Sequence, residues 1–209
     1  MRTQVINLMR GQRRSEGGRV RSGKAEGFVA RDEAAAVPDG VRAVLAPRVQ
    51  ALRALAPLLA DADRWAEETG RREVIARRLM TAPGVGPLTA LSVDATLDTV
   101  TRFRDAGAVS AYRGVVPSEA SSGKRQRRGP ITKAGPPRGR GALVQASWAI
   151  WRTPRGSAAL HAGVHRLADR RGKRTAVVAL ARRLARILFA MWRDGRDGHP
   201  ARVTRLAAA

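Results

Sequence analysis

A pair of serines in a strongly basic loop is the first feature of this sequence that could perform a chemical reaction. Ser121 and Ser122 precede Gly123, and the residues that follow are mostly basic. A serine hydroxyl in such a loop can hydrogen-bond to a phosphate, or it can attack the phosphorus when nearby cations stabilise the charge that develops. No histidine base is close in the sequence, so spacing alone favours a flexible loop that only contacts phosphate. The loop residues expected to contact DNA are Lys124, Arg125, Arg127, Arg128, Thr132, Lys133, Arg138 and Arg140.

A compact turn between two apolar segments is the second such feature. It spans Thr81–Pro87, and its two glycines would let the backbone approach a phosphate closely. Pro87 suits the first turn of a following helix, whose N-terminus offers unpaired N–H groups and a positive dipole end. The turn resembles the hairpin of helix–hairpin–helix units, which contact the DNA backbone rather than the bases. The alternative is a tight turn without a ligand; the predicted contacts are Pro83, Gly84, Val85 and Gly86.

A third basic cluster lies further along the chain, and a single acidic residue, Asp169, interrupts it. It can contact phosphate, or it can be a solvated face. If five to eight of the chain's cations contact phosphate, the logarithm of the affinity should fall against the logarithm of the salt concentration with a slope of about −5 to −7. The members of this cluster are Arg166, Arg170, Arg171, Lys173 and Arg174.

Metal-dependent and thiol chemistry find little support in the sequence. Cysteine is absent and only three histidines occur, which excludes disulfides and zinc-finger ligation. Phosphoryl transfer by two metal ions needs convergent carboxylates, whereas the acidic residues here are scattered. Asp94 and Asp98 could share a helix face, but we expect them to be solvated or to cap a helix. The sequence therefore predicts neither a metal site nor a cofactor in this chain.

The net charge of +23 comes from 40 basic and 17 acidic residues. Such an excess is atypical of a metabolic enzyme and indicates a polyanionic partner. Of the basic residues 36 are arginine, which binds phosphate and guanine bidentately, although GC-rich coding would also raise this number. No run of 18 apolar residues occurs, so we expect no membrane span and a cytoplasmic protein.

The elements that position these features are predicted to be mostly helical. Residues 1–40 contain a short amphipathic stretch and a basic loop, too little for a core of their own. Residues 41–79 have apolar residues at three- and four-residue steps, and Pro47 and Pro57 predict kinks or two helices. This segment carries eight basic and five acidic residues, so it suits a protein partner, either a second copy or its own domain. Further helices are expected to end near 112–114 and to span 142–153 and 175–193, with a loop at 117–141.

Several short motifs, taken in order, resemble the C-terminal transposase domain of the insertion sequence 110/116/902 family. The resemblance extends to Arg2–Asn7, which is similar to the helix that closes the family's N-terminal RNase H-like domain, and to the closing helix at Ala176–Gly195. It therefore covers nearly the whole chain but only the latter part of the family's length. The motifs are Leu79–Pro87, Arg102-Phe103, Ala111–Gly114, Pro117-Ser118, Ser121–Gly123 and Ile131–Gly135.

The resemblance implies a role for the serine that spacing alone does not. In that family, acidic residues of the N-terminal domain bind metal, a helix mediates assembly, and a serine completes a composite site for strand exchange guided by a structured RNA. The family's serine before glycine falls on Ser122, which would become a nucleophile with a transient 5′-phosphoserine link; Ser121 is the fallback. Mg²⁺ would belong to the N-terminal domain, which this sequence lacks, so we interpret the chain as a truncated transposase.

The resulting hypothesis is a mainly α protein with four parts. Residues 1–40 are a remnant and basic linker, 41–79 a helical assembly segment, 80–195 the transposase domain and 196–209 a tail. The leading function is DNA transposition by a DNA-binding, serine-bearing recombinase with a guide RNA as second partner and self-association through 41–79. The alternatives are a non-catalytic DNA- or RNA-binding protein, or a structural protein that only holds the RNA.

Overall fold

The computed structural model describes residues 39–119, 128–154 and 156–198. This part of the chain is mainly α-helical, as the sequence predicts, with one short antiparallel pair of strands. A 3₁₀ turn lies at Val100–Arg102. The helices are α1 (Asp39–Arg72), α2 (Val74–Leu79), α3 (Pro87–Leu97), α4 (Ala106–Tyr112), α5 (Pro137–Arg152), α6 (Ala158–Arg171) and α7 (Lys173–Arg193), and the strands are β1 (Pro117–Glu119) and β2 (Arg128–Ile131).

The first helix, α1, does not break at its prolines. Of the two predicted outcomes, kinks or two helices, the division into two helices at Pro47 or Pro57 is wrong, since both prolines lie inside one helix. Each proline removes a single intrahelical hydrogen bond, and the two are far enough apart for the bonds between them to sustain the helix. The break comes instead at Glu73, whose extended backbone precedes α2.

The contacts of the chain divide it into two compact units between Trp65 and Ala66. In the first unit the described residues all belong to α1. By length and composition alone, the stretch Arg42–Arg72 would suffice to cross a membrane, which is weak evidence because core helices of other proteins pass the same test. Arg48 and Arg53 lie among its apolar residues, and an arginine at the centre of a bilayer costs about 2.5–3.5 kcal/mol on insertion scales.

The core of the second unit is built around α7. Its apolar face packs against α4, α5 and α6, and Leu184, Ile187 and Leu188 are completely buried. Burying each of these side chains contributes about 1.5–3 kcal/mol. The apolar periodicity predicts this face, and the structure confirms it; the helix begins two residues earlier than expected because Gly172 precedes it as its cap.

Two helices begin at side-chain caps. The carboxylate of Asp105 accepts a 2.8 Å hydrogen bond from the backbone N–H of Ala108 at the start of α4. This hydrogen bond lowers the pKa of Asp105, and the hydrogen bond from the neighbouring Arg104 guanidinium lowers it to a smaller extent. The hydroxyl of Ser157 accepts a bond from the N–H of Leu160 and begins α6. Helix α4 is predicted from the sequence, whereas α6 is not.

The segment 117–141 was predicted to be a continuous loop, and this prediction is wrong. The segment contains β1, β2 and the first turn of α5. The strands pair in antiparallel register, with Pro117 opposite Ile131 and Glu119 opposite Arg128. The hydroxyl of Ser118 donates to the carbonyl of Pro130 across the pair at 2.9 Å. Helix α5 begins with a proline, which its first turn tolerates because that position needs no N–H donor.

Candidate nucleic-acid interface

The turn between α2 and α3 forms a hairpin held by backbone hydrogen bonds. The N–H of Ala82 donates to Leu79, and the N–H of Val85 donates to Ala82. Pro83 and Val85 are buried, whereas Gly84 and Gly86 are exposed. Of the four residues predicted to contact DNA at this turn, the two glycines therefore offer the solvent-facing backbone, and the two apolar side chains anchor the hairpin from beneath.

Gly84 can only be a glycine in this arrangement. Its φ of +71° lies in the left-handed region, which a side chain disfavours. A β carbon at this position would also lie 2.7 Å from the carbonyl oxygen of Ala146 and 2.7 Å from Cγ1 of Ile150. The close approach fixes the hairpin against the C-terminal half of α5.

The helix that follows the hairpin has an open N-terminus. Gly86 is its N-cap residue, and no side chain caps the helix there. The N–H groups of Leu88 and Thr89 consequently have no intrahelical acceptor, and α3 carries no acidic residue in its first turn. Leu88 is 65% exposed, and among the described residues no atom lies within 4 Å of the point where a β carbon on Gly86 would stand. Gly86 and Leu88 therefore put the start of α3 at the surface, whereas Thr89 is buried, and an exposed helix N-terminus of this kind favours anions.

The charges next to the hairpin are mixed. Arg77 and Arg78 occupy the last turn of α2, and Arg78 lies 3.8 Å from the carboxylate of Asp197, which follows α7. The neighbouring Gly198 donates its N–H to the hydroxyl of Thr81 at 2.6 Å. The segment that follows α7 thus contacts the hairpin directly and offsets part of the charge of Arg78.

The predicted catalytic loop falls largely outside the described residues. Ser121, Ser122, Lys124, Arg125 and Arg127 belong to the stretch 120–127, and their positions stay predictions. The pairing of Glu119 with Arg128 places the two ends of this stretch side by side. The β1–β2 pair therefore closes the loop at its base.

The remaining predicted contacts lie between β2 and the first turns of α5. Thr132, Lys133 and Arg138 are exposed, and Lys133 has a φ of +56°. Arg140 is half-buried and donates from Nη1 to the carbonyl of Gly135 at 3.0 Å. The hairpin contacts Ala146 and Ile150, further along the same helix. At about 1.5 Å per residue, these contacts lie about 10–18 Å along α5 from Arg138 and Arg140.

One buried cation had no role assigned by the sequence. Arg113 is 1% exposed, and its Nη2 donates to the carbonyls of Ser92 and Val93 on α3. Nη1 is buried and has no hydrogen-bond partner among the described residues. A β carbon at Gly139 would clash with Nη1, so a larger residue there would require the Arg113 guanidinium to move. Burial lowers the pKa of Arg113 to about 10. Which of the 36 arginines is buried cannot be recognised from sequence alone.

The carboxylates of the described chain do not converge. No group of three or more His, Cys, Asp or Glu residues that could hold a metal ion occurs in the described ranges. Asp98 caps the C-terminus of α3. Burial, followed by the charge of Glu73, raises the pKa of Asp94. The described residues therefore do not fit Mg²⁺.

The third basic cluster occupies the junction of α6 and α7. Its five cations and the interrupting Asp169 are all exposed. None of these cations forms an ion pair with a carboxylate in the described ranges. Exposure suits a phosphate contact and a solvated face equally, so both interpretations of this cluster stay open.

Comparison with known proteins connects this architecture to transposases. Residues 76–162, from α2 into α6, match the family model for Transposase IS116/IS110/IS902 family. The chain is 30% identical over 160 residues to a Pseudomonas aeruginosa protein named "Probable family 20 transposase", covering 76% of this chain and 47% of that protein. It is 37% identical over 120 residues to the Coxiella burnetii "Transposase for insertion sequence element IS1111A", covering 55% of this chain and 32% of that one.

A third relative extends the match to almost the whole chain. A Sinorhizobium fredii protein named as a putative transposase is 28% identical over 199 residues, which are 93% of this chain and 51% of that protein. The matched part of the chain thus covers between about a third and a half of the length of these relatives.

Proposed function

Since residues 76–162 form a transposase domain of the IS116/IS110/IS902 family, we propose that the chain binds the backbone of duplex DNA through its hairpin and acts in DNA transposition. The observation that carries this proposal is the open N-terminus of α3. Gly86 leaves the N–H groups of Leu88 and Thr89 available, and Gly84 holds the exposed backbone in place against α5.

The chemistry of this hairpin suits a phosphate rather than a base edge. Backbone N–H groups at a helix start bind anions irrespective of base sequence. The cations near β2 and α5 lie about 10–18 Å along α5 from the hairpin, a distance of about three to five base-pair steps at about 3.4 Å per step. In length, this separation is compatible with one duplex that engages the hairpin and these cations together.

Binding to duplexes of unrelated sequence tests this part of the proposal. We expect similar affinities for two labelled duplexes of different sequence. Between about 50 and 200 mM salt, the logarithm of affinity should fall against the logarithm of salt concentration with a slope of about −5 to −7. No binding at low salt, or affinity independent of salt, would contradict the proposal.

For the chemical step we propose Ser122 as the nucleophile, with Ser121 as the fallback. The Ser122 oxygen would lose its proton and form a bond to the DNA phosphorus, while the bond from phosphorus to the 3′ oxygen breaks. The departing oxygen takes up a proton and becomes a 3′-hydroxyl, and the serine retains the 5′ phosphate. The cations of the loop would stabilise the charge that develops on phosphorus.

A covalent adduct distinguishes this enzyme from a non-catalytic binding protein. The chain is incubated with donor and target DNA, guide RNA and Mg²⁺, with the acidic domain of a relative added in trans. We expect a protein–DNA adduct that is lost in Ser122→Ala and retained in Ser118→Ala, whose hydroxyl is engaged across the strand pair. An adduct lost in Ser121→Ala instead would transfer the role to Ser121. Duplex binding without any adduct would leave only the binding protein.

We also propose the partners and location that follow from this role. A structured RNA would guide strand exchange, Mg²⁺ would be held by a separate acidic domain, and the protein would work in the bacterial cytoplasm on nucleoid DNA. Self-association would use α1, on which Leu58 and Trp65 are 63% and 65% exposed. These two residues are about two helical turns apart and so lie on the same face of the helix.

A further inference from the structure

Two tryptophans on α5 form an aromatic corner near the start of α7. The rings of Trp148 and Trp151 meet edge to face, with their centroids 6.1 Å apart. Their three-residue spacing places both on the same face of α5. The sequence predicts one helix for both residues, but the two rings have different surroundings.

Trp151 is held on several sides. Its ring stacks on His165 of α6 with centroids 3.9 Å apart, and the His165 Nε2 lies 3.2 Å from the Trp151 carbonyl oxygen. Trp151 also packs against the buried core. These contacts make Trp151 the rigid support of the corner.

Trp148 makes fewer contacts than Trp151. It is half-buried, is not among the residues packed against the core cluster, and within the described ranges its only ring–ring contact is with Trp151. The ammonium of Lys173 lies 5.2 Å from the Trp148 centroid and 4.9 Å from that of Trp151. Such a cation over an aromatic face is attractive, but Lys173 is exposed and can therefore turn away from the ring.

Positive charge surrounds this corner. The side chain of Arg152 is exposed, and its Nε donates to the carbonyl of Trp148 at 3.0 Å, which places a guanidinium at the Trp148 backbone. The five cations of the third basic cluster lie at the junction of α6 and α7, and one of them is Lys173 itself. None has an ion pair with a carboxylate in the described part of the chain. A nucleotide presents the complementary pair of groups, a flat base and a phosphate.

We propose that Trp148 is a stacking platform for an unpaired base of single-stranded nucleic acid, with Lys173 and Arg152 contacting the phosphates of the same strand. The base would take the face over which Lys173 now lies, and the Lys173 ammonium would turn to the backbone. Paired bases within a duplex have both faces covered by their stacked neighbours, and exposing one costs a few kcal/mol of unstacking, so the site favours unpaired nucleotides. This inference deepens the proposed function and rests on it for the nucleic-acid partner.

Oligomers with and without bases give the first test. Fluorescence anisotropy compares three single-stranded probes of equal length and charge, namely DNA, RNA and a DNA strand of abasic residues, with a duplex as reference. Because stacking of one base contributes about 1–3 kcal/mol of binding free energy, we expect the abasic strand to bind about ten-fold more weakly than the normal DNA strand. Equal affinity for the two would overturn the proposal, because phosphate attraction alone would then explain binding. The ratio of DNA to RNA affinity identifies which strand the platform prefers.

Variants of the corner give the second test. We expect Trp148→Ala to weaken single-strand binding about ten-fold and Trp148→Phe to retain most of it, with duplex affinity unchanged in both. Trp148→Ala that binds single strands as tightly as the wild type would overturn the proposal. If Trp148→Ala fails to fold, Trp148→Phe and the abasic strand still test the proposal. A phenylalanine can stack on a base, but it removes the Trp148 fluorescence that a stacked base would quench. Quenching by the normal DNA strand should therefore be seen in the wild type and be reduced in Trp148→Phe.

A matched control distinguishes a specific role of Lys173 from a general effect of positive charge. Lys173→Gln should weaken single-strand binding more than Arg182→Gln, which removes one exposed positive charge further along α7. Equal effects of the two would overturn the role of Lys173. Retained duplex binding without base-dependent single-strand binding would overturn this inference alone, whereas loss of all nucleic-acid binding by the wild type would overturn the proposed function as well.

Discussion

Gly84 and Ile150 approach each other so closely that a β carbon at position 84 would lie 2.7 Å from Cγ1 of Ile150. Ile150 is itself buried in the core of the second unit. The exposed edge of the hairpin is therefore positioned by the core and not by the hairpin alone. Whatever binds the hairpin contacts a surface whose geometry is set before binding.

Gly84→Ala should destabilise the second unit by about 2–4 kcal/mol. The left-handed backbone costs a side chain about 1–2 kcal/mol, and the collision with Ile150 and the Ala146 carbonyl adds about as much again. Urea unfolding measures the change. Gly86→Ala is the matched control, since no described atom lies within 4 Å of a β carbon there. Equal stability of Gly84→Ala and Gly86→Ala would contradict the fixed hairpin.

Arg113→Met should leave the protein at least as stable as the wild type. Burial of the Arg113 charge without a carboxylate partner in the described ranges costs desolvation energy, which an apolar side chain of similar size avoids. Arg113→Ala should instead lose about 2–4 kcal/mol, because it leaves a cavity. Thermal unfolding at about pH 7 compares the three proteins. If Arg113→Met unfolds far below the wild type, the two hydrogen bonds to α3 outweigh the charge penalty.

The same residue predicts a pH dependence with a definite sign. The folded pKa of Arg113 is about 10, below its ordinary value, because burial disfavours the charged guanidinium. The penalty for the buried charge is therefore complete well below pH 10 and is relieved as the pH rises above about 10 towards the pKa of the unfolded chain. The stability of the wild type relative to Arg113→Met should rise over this range. A constant difference would show that the charge of Arg113 is not desolvated.

The exposed face of α1 predicts self-association. The double variant Leu58→Ser/Trp65→Ser should convert a dimer or higher oligomer to a monomer, since it removes the two most exposed large apolar side chains described for that helix. Size-exclusion chromatography with light scattering measures the mass. Asp63→Ser, on the same stretch, should leave the mass unchanged. A wild type that is monomeric at tens of micromolar would refute the assembly role of α1.

The sequence predicts much of this fold because apolar periodicity decides which faces are buried. The face of α7 from Val177 to Met191 follows from spacing alone, and the end of α4 near Tyr112 was also predicted. Helix α6 was missed although Leu160, Val164 and Leu167 lie at helical spacing and Ser157 is a suitable N-cap. The arginines at the C-terminal end of α6 obscure this periodicity, because the same segment also has the charge pattern of a phosphate-binding surface.

Other features depend on contacts between distant residues. Pro47 and Pro57 are local signals of a helix break, but the hydrogen bonds on either side of each proline maintain α1. The burial of Arg113 depends on Gly139 of α5, and the difference between Trp148 and Trp151 depends on residues from two other helices. The prediction for Ser122 rests on the family resemblance and is tested only by the adduct.

A single substitution at Gly86 distinguishes DNA binding by the hairpin from a purely structural turn. The backbone of Gly86 is extended, with a φ of −95°, and a side chain there meets no other described atom within 4 Å. An aspartate at this N-cap position would accept hydrogen bonds from the N–H groups of Leu88 or Thr89 and so stabilise α3. The same carboxylate would occupy the proposed phosphate donors and repel the phosphate.

The most direct test is therefore the affinity of Gly86→Asp for duplex DNA, measured by fluorescence anisotropy at fixed salt concentration. The melting temperature of the same variant is measured separately. Gly86→Ala is the control that leaves the N–H groups open. We predict that Gly86→Asp melts at or above the wild-type temperature and binds duplex DNA about ten-fold more weakly, while Gly86→Ala binds nearly as the wild type does. A well-folded Gly86→Asp variant with wild-type affinity for duplex DNA would contradict the account.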